Sequence, residues 1–245
     1  MFKIMKQTVA GIALLAMTSL SQAESEVSYS ANLGFMSDYM YRGIHQSSSS
    51  AMGGFDIEYG SFYVGTWFAD LQEGGWEAPG DDSHRDFEYD VYAGFGFDLT
   101  DSISASVGYT IYRYTDKGAN AFDDDYDEVN LGLGFAISED ASIAIDYAVG
   151  ENTATDQSET DYDVLTIAVD YLGMYALFGT WGVSEDDTSK GEVDADWMEF
   201  GYSRTVGDFD LSGAFVLSER ELAGGSDTDE DGDFSRFIMS ISTGF

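Results

Sequence analysis

Apolar residues at every second position are the feature that most restricts what this chain folds into. In the segment FEYDVYAGFGFDL, Phe87, Tyr89 and Val91 lie on one side of an alternation that has Glu88 and Asp90 on the other. A period of two residues is typical of a β-strand with one apolar face. The segments are rich in glycine and show no apolar stripe with a period of 3.6 residues, so helices are not expected. The pattern therefore predicts an all-β protein.

The alternation predicts twelve strands whose connections are sorted by length. The strands are predicted at residues 27–43, 50–59, 61–70, 86–99, 102–115, 124–137, 141–150, 160–172, 174–184, 194–206, 208–219 and 233–245. Short connections (YGS, LTDS, SEDA, LGM and VGD) alternate with long ones that hold acidic tracts, and the first connection, GIHQSSSS, is predicted as a further long loop. Tight periplasmic turns at one end and long extracellular loops at the other are typical of an up-and-down antiparallel transmembrane β-barrel. A soluble β-sandwich gives no reason for such sorting.

The first residues predict an export signal. Lys3 and Lys6 precede the apolar run TVAGIALLAMTSL, which is too short to span a bilayer, and SQA supplies small residues for cleavage after Ala23. We therefore expect a cleaved signal peptide at residues 1–23 and one outer-membrane β-barrel domain at residues 24–245.

The end of the chain predicts the closing strand of the barrel. In RFIMSISTGF, Phe237, Met239, Ile241 and Phe245 form an apolar face that is expected to point toward lipid. An alternation that ends on an aromatic residue also resembles the C-terminal signature of outer-membrane proteins. The barrel-insertion machinery is therefore an expected partner through Phe245.

Composition excludes several classes of function. The formal net charge is −36 and the pI is about 4.1, which argues against nucleic acid because its phosphates would be repelled. The chain has no cysteine, so a disulfide framework and thiolate metal sites are excluded. Hydrophobic residues make up 44% of the chain, which is too many for a disordered protein. No cofactor is expected.

Polar residues that alternate with the apolar ones are predicted to face the barrel interior. These pore-lining candidates are Asp38, Arg42, Asp56, Glu58, Glu88, Asp90, Asp146, Asp170, Glu199 and Arg236. The phase of the tenth strand is ambiguous, and Glu199 faces inward only if Met198 faces outward. An interior with so many acidic side chains needs water, so the pattern predicts a water-filled lumen that favours cations.

Aromatic residues near the predicted strand ends are expected to form a belt at the membrane interfaces. The belt is predicted to contain Tyr39, Tyr41, Trp67, Phe97, Tyr109, Tyr147, Tyr171 and Trp181.

Arg42 and Arg236 allow two interpretations. The first and last strands of a barrel are neighbours, so the two guanidinium groups could form a basic patch that faces an acidic wall and orients a solute. Alternatively, each arginine pairs with a local acid such as Asp38 or Asp56 and stabilises the seam where the barrel closes.

The acidic loops allow three interpretations: a vestibule that concentrates cations over the pore mouth, loose binding of divalent cations that also bridge lipopolysaccharide, or a solvated surface without a further role. Asp227, Asp229 and Asp231 match the start of an EF-hand loop, but the position that requires a bidentate glutamate is Ile238. A high-affinity calcium site is therefore not expected, and the three aspartates are weak candidates.

Catalysis is not expected. The chain has two histidines: His45 precedes the serines of residues 47–50, and His84 lies beside Asp81, Asp82 and Asp86. A Ser–His or Asp–His pair can hydrolyse an ester or peptide bond, but both histidines lie in predicted loops without an orienting framework.

The segments VSYSANLGFMSDYMYRGIHQS and GGFDIEYGSFYVGTWFADL resemble the N-terminal signature of the TorF-type family of porins. The matching positions are Ser37, Asp38, Tyr39, Tyr41, Arg42, Gly43, Ile44, Gln46 and Ser47, then Gly54, Phe55, Asp56, Tyr63, Val64, Gly65, Thr66 and Trp67. The resemblance implies an outer-membrane β-barrel and implies no substrate.

Together these features predict a monomeric porin in the outer membrane of a Gram-negative bacterium that conducts small hydrophilic solutes. Twelve strands imply a narrow pore, and EGGWEAPGDDSHRD, with Trp76 and Pro79, is the candidate for a loop that folds inward. The alternative is a non-conducting structural or adhesive barrel whose acidic loops bind divalent cations or an external partner. Outer-membrane lipid and lipopolysaccharide are expected partners in either case.

Overall fold

The computed structural model describes residues 27–71, 86–115, 126–153, 159–185, 193–219, 222 and 234–245. The strands are β1 (Val27–Tyr41), β2 (Ile44–Tyr59), β3 (Phe62–Leu71), β4 (Asp86–Thr100), β5 (Ile103–Tyr114), β6 (Tyr126–Ala136), β7 (Ala141–Thr153), β8 (Glu159–Tyr171), β9 (Met174–Glu185), β10 (Val193–Val206), β11 (Phe209–Ser218) and β12 (Phe234–Gly244). None of the described residues forms a helix that is long and apolar enough to cross a membrane. The predicted signal peptide lies outside the described residues.

The strands form one closed barrel. Each strand pairs antiparallel with the next strand in the chain, and β12 pairs with β1. Ala31 and Phe245 exchange two backbone hydrogen bonds, of 2.8 and 3.2 Å, so both ends of the described chain lie at the same end of the barrel. The predicted fold class, a twelve-stranded all-β barrel, is confirmed.

Five tight turns connect the strands at the end of the barrel that holds both chain ends, which we call the turn end. Gly60, Gly173 and Gly207 have φ angles of 59°, 82° and 65°, which are strained for other residues. Leu172 precedes Gly173 with a φ of 55°, giving the two consecutive positive φ angles typical of a tight hairpin turn. The opposite end, which we call the loop end, carries the long acidic connections, most of whose residues lie outside the described part of the chain.

Alternating exposure separates an apolar exterior from the interior. On β10, Met198 and Phe200 are 43% and 49% exposed, whereas Trp197 and Glu199 are 2% and 4% exposed. On β12, Phe237, Met239 and Ile241 are likewise exposed. Since the exterior carries large apolar side chains all round the barrel, it is suited to lipid rather than to water.

The first hairpin departs from the prediction, because the segment GIHQSSSS is not a loop. β2 begins at Ile44, and β1 and β2 are joined by the two-residue turn Arg42–Gly43, whose φ angles of 49° and 82° are typical of a type I′ hairpin. Serine and glutamine are typical of loops, but in this segment they extend a strand that pairs with β1.

The tip of this hairpin leaves the barrel wall. β1 pairs with β12 only as far as Met36, which lies opposite Ser240, and β2 pairs with β3 only from Met52 onward. Between these points lie residues 37–49, which we call the inner hairpin, and among the described residues they have strand partners only in each other. The contacts described below place the inner hairpin across the interior at the loop end.

Candidate functional site: the inner hairpin and the barrel interior

A buried ion pair anchors the tip of the inner hairpin to the far wall. Nη1 of Arg42 donates to Oε1 of Glu128 on β6, and Nη2 donates to Oε2 at 3.1 Å. The Glu128 side chain is fully buried, and that of Arg42 is 14% exposed. A two-pronged contact between guanidinium and carboxylate is the strongest common form of ion pair and fixes the orientation of both groups.

Three neutral side chains complete the coordination of Glu128. Its oxygens accept hydrogen bonds from the Tyr162 hydroxyl at 2.9 Å, the Tyr112 hydroxyl at 3.1 Å and the Asn130 amide at 3.1 Å. Tyr41 of the hairpin donates to the Tyr112 hydroxyl at 2.8 Å. A buried carboxylate with this many donors is stable only while the donors stay in place, so the network specifies one position of the hairpin.

The backbone of the turn is also held by the wall. The Trp181 indole on β9 donates to the Arg42 carbonyl at 2.8 Å, and the Ser218 hydroxyl on β11 donates to the Gly43 carbonyl at 2.6 Å. A Cβ atom at Gly43 would lie 2.6 Å from the Cβ of Trp197, so only glycine fits there. Because β6, β9, β10 and β11 all contact the turn, the hairpin lies inside the barrel.

Aromatic side chains fill the rest of the interior at the loop end. The rings of Tyr112 and Tyr126 stack with centroids 4.3 Å apart, and those of Tyr162 and Trp181 lie 5.4 Å apart. Buried aromatic residues at this level are Tyr39, Tyr41, Tyr112, Tyr114, Tyr126, Tyr162, Trp181 and Trp197. The prediction of a water-filled lumen is therefore wrong for this half of the described interior, because packed rings and the inner hairpin occupy the space.

The predicted aromatic belt divides into two groups. Its members on the exterior are exposed: Phe97, Tyr109, Tyr147 and Tyr171. The other members contradict the prediction, because they pack inside: Tyr39, Tyr41, Trp67 and Trp181. Tyr39 and Tyr41 follow Met36, and beyond Met36 β1 no longer belongs to the barrel wall. The alternation of the strand therefore no longer indicates which side chains face lipid and which face the interior.

The interior toward the turn end is acidic and carries small polar residues together with Tyr63, Tyr92 and Tyr175. The structure places the carboxylates of Asp56, Glu58, Asp146, Asp170 and Glu199 on interior positions of their strands, among serines and glycines. The Tyr92 hydroxyl donates to Asp56, and the Tyr175 hydroxyl donates to Glu199.

The basic side chains of the described residues lie outside the turn-end interior. Arg113 pairs with Asp127 on the exterior of the barrel at 3.1 Å, and Arg204 is an exposed exterior residue of β10. Arg42 and Arg236 belong to the loop-end half. The described turn-end interior therefore carries carboxylates without an inward-facing basic side chain.

The two interior arginines have different partners. Nε of Arg236 lies 4.0 Å from Oδ1 of Asp38, and its guanidinium stacks on Phe234, so this arginine pairs across the seam between β1 and β12. Arg42, by contrast, pairs with Glu128 across the barrel, so the expectation of a local partner is wrong for Arg42.

Glu88 and Asp90 lie on β4 beneath the inner hairpin, and both are buried. One oxygen of Glu88 accepts a hydrogen bond from the Tyr39 hydroxyl of the hairpin at 3.3 Å.

Glu128 was not predicted as an interior residue, although the alternation of β6 could have revealed it. Its neighbours Val129 and Leu131 are exposed, so Glu128 lies on the opposite, interior face.

His45 does not form a catalytic triad. Its Nε2 atom lies 3.5 Å from both Ser48 Oγ and Asp38 Oδ1. A Ser–His–Asp triad uses one ring nitrogen for the serine and the other for the aspartate, and here both groups approach the same nitrogen.

Several other predicted candidates fall outside the described residues. These are His84, Trp76, Pro79, Asp227, Asp229 and Asp231. Within the described ranges, no group of three or more acidic or histidine side chains converges as a metal site.

Comparisons with known proteins identify a family and a fold. A family model described as "Bacterial protein of unknown function (Gcw_chp)" matches residues 20–245. The barrel is similar to the structure of the KdgM porin, with a TM-score of 0.53 and 10% identity over 88% of this chain and 99% of that chain. The KdgM porin in complex with disordered oligogalacturonate gives a TM-score of 0.52 with the same identity and coverage. No curated protein matches the chain. The matching family does not carry the TorF name, so that resemblance stays an interpretation.

Proposed function

Because the chain belongs to the Gcw_chp family of bacterial proteins of unknown function, we infer its function from the barrel itself. We propose an outer-membrane porin that passes small hydrophilic solutes, favours cations, and is closed at its loop end by the inner hairpin. The apolar exterior supports a membrane location. Lipid and lipopolysaccharide are the partners that such an exterior would meet, and Phe245, which is exposed at the turn end, is available to the insertion machinery.

One observation carries the cation preference: the acidic interior toward the turn end. Its carboxylates face a space without an inward basic side chain among the described residues. A lumen lined by one sign of charge raises the local concentration of the opposite ion and excludes ions of the same sign.

The charge of the chain also argues against a solute like the one in the KdgM complex. Oligogalacturonate is a polyanion, and a chain with a net charge of −36 would repel it. Small cations and neutral solutes are therefore the proposed cargo.

The inner hairpin supplies the proposed gate. It crosses the interior at the loop end, where packed aromatic rings surround it and the wall holds its turn. Passage then requires the hairpin to move, and the Arg42–Glu128 ion pair is the contact that holds it in place.

The packed rings and the inner hairpin at the loop end also favour a second candidate, a barrel that does not conduct and acts through its acidic loops. In that case the inner hairpin is a permanent structural plug. The two candidates differ in whether weakening the plug produces current.

Planar-bilayer recordings of the refolded protein in a potassium chloride gradient test the proposal. We expect rare cation-selective openings for wild type and frequent ones for Glu128→Gln, because the neutral amide no longer pairs with Arg42. The matched control is Asp127→Asn, which breaks the neighbouring exterior ion pair and should behave as wild type. Silence of all three folded proteins would contradict the porin and support the non-conducting barrel.

A further inference from the structure

Two buried carboxylates beneath the inner hairpin each have an oxygen that lacks a hydrogen-bond donor among the described residues. Glu88 and Asp90 occupy successive interior positions of β4 and are 1% and 6% exposed. Oε2 of Glu88 and Oδ1 of Asp90 are buried and accept no hydrogen bond from the described residues. A buried acceptor of this kind is costly, so it needs a proton or a cation that the described residues do not provide.

The basic groups of the described interior are engaged elsewhere. Arg42 is held in the two-pronged contact with Glu128, and Arg236 lies against Asp38 at the seam. At the level of the hairpin, the four carboxylates of Asp38, Glu88, Asp90 and Glu128 therefore face two guanidinium groups, and each of these lies against a carboxylate other than Glu88 and Asp90.

Aromatic neighbours make the place suitable for a cation. Trp67 on β3 and Tyr112 on β5 are the residues directly opposite Asp90 in the two neighbouring strands, so their side chains flank its carboxylate. Tyr39 of the hairpin donates to Glu88 and its ring lies 5.4 Å from that of Trp67. Aromatic faces attract cations and strengthen a site formed by carboxylates.

We propose that Glu88 and Asp90 bind a small monovalent cation beneath the inner hairpin. Calcium takes six or more oxygen ligands and magnesium keeps several waters. The described residues do not gather three acidic or histidine side chains at one point, so two carboxylates with aromatic walls are better suited to a single charge. This inference rests on the proposed cation preference, but it is tested by binding instead of conductance, so that the two can fail separately.

The test is the urea midpoint of the refolded full barrel in detergent, in rubidium chloride and in N-methyl-D-glucamine chloride at equal ionic strength. An ion that binds only the folded state raises the midpoint. We expect rubidium to raise it for wild type, and the increase to disappear in Asp90→Asn and in Glu88→Gln.

Asp98→Asn is the matched control, because Asp98 lies on the same strand and face but is exposed at the turn end, and it should keep the full increase. Two results would overturn the site. One is an equal rubidium effect in all variants, which places the ion elsewhere. The other is no effect in wild type together with an infrared band of a protonated carboxylic acid that Asp90→Asn removes, which means that a proton occupies the place of the cation.

Discussion

The two halves of the barrel interior are built by the same strands but have different contents. Toward the loop end, interior positions carry tyrosine and tryptophan, and the inner hairpin lies among them. Toward the turn end, the same strands present carboxylates, serine and glycine, with fewer aromatic side chains, of which Tyr92 and Tyr175 bind carboxylates. A closed barrel therefore does not by itself determine whether its interior is a passage. The size of the inward side chains and the departure of one hairpin from the wall decide that locally.

The halves also differ in how their charges are balanced. The described loop-end interior pairs Arg42 with Glu128 and Arg236 with Asp38, so its arginines act as structural links. The described turn-end interior has no inward basic residue, and its Asp56 and Glu199 accept hydrogen bonds from tyrosine hydroxyls instead. The first arrangement holds one conformation, and the second attracts mobile cations.

Removing Arg42, the arginine of the buried ion pair, should have the largest effect on the packing of the loop-end interior. Arg42→Ala leaves Glu128 buried without its partner, which costs about 3–5 kcal/mol. We expect the inner hairpin to leave the interior, with a red shift of tryptophan emission because Trp181 loses its contact with Arg42. The control is Arg113→Ala, and an equal shift in both variants would contradict a hairpin-specific effect.

Adding one methyl group at the hairpin turn should have the next largest effect. Gly43→Ala forces a Cβ against Trp197 at a residue whose φ is 82°, and the φ strain alone costs about 1–2 kcal/mol. Gly207→Ala is the control, because its φ is 65° but nothing lies within 4 Å. Denaturant unfolding should show a larger loss of stability for Gly43→Ala. If the two losses were equal, close packing of the turn against Trp197 would be disproved.

Neutralising the turn-end carboxylates should alter selectivity and leave folding unchanged. In a background with the hairpin released, Asp56→Asn combined with Asp170→Asn should lower the cation-to-anion permeability ratio by about twofold to tenfold. Reversal potentials in a salt gradient measure this ratio. An unchanged ratio would show that the acidic wall does not select ions.

Breaking the exterior ion pair should have the smallest effect. Asp127→Asn removes the contact with Arg113, which is partly exposed and contributes less than about 1 kcal/mol. We expect unfolding midpoints and tryptophan emission close to those of wild type. A loss as large as that of Arg42→Ala would mean that the buried pair has no special role.

The sequence predicts the wall of this barrel well because the wall depends on local patterns. Alternation and turn residues such as Gly60 and Gly207 fix the strands within a few residues, and the phase of each strand puts carboxylates such as Asp56 on the interior side. These features need no knowledge of distant residues.

The inner hairpin could not be predicted in the same way. Its serine-rich arm has the composition of a loop, and its burial depends on contacts with Glu128, Trp181 and Ser218, which lie far away in the chain. Tyr39 and Tyr41 keep the alternation of β1, but the strand has left the wall, so the pattern assigns them to lipid. The residues that resemble the TorF-type signature include nine positions of this hairpin, from Ser37 to Ser47, yet the signature alone gives no sign that they lie inside.

The most direct test of the account is to replace the inner hairpin with a short turn and record single channels. Met36 and Ser50 lie directly opposite each other, so residues 37–49 can be exchanged for Asn-Gly, which suits a two-residue hairpin. Removal of the hairpin should give steady, cation-selective current steps in a potassium chloride gradient, whereas wild type should show only rare openings. Equal conductance in the two folded proteins, or silence in both, would contradict the claim that the inner hairpin closes a cation-selective passage.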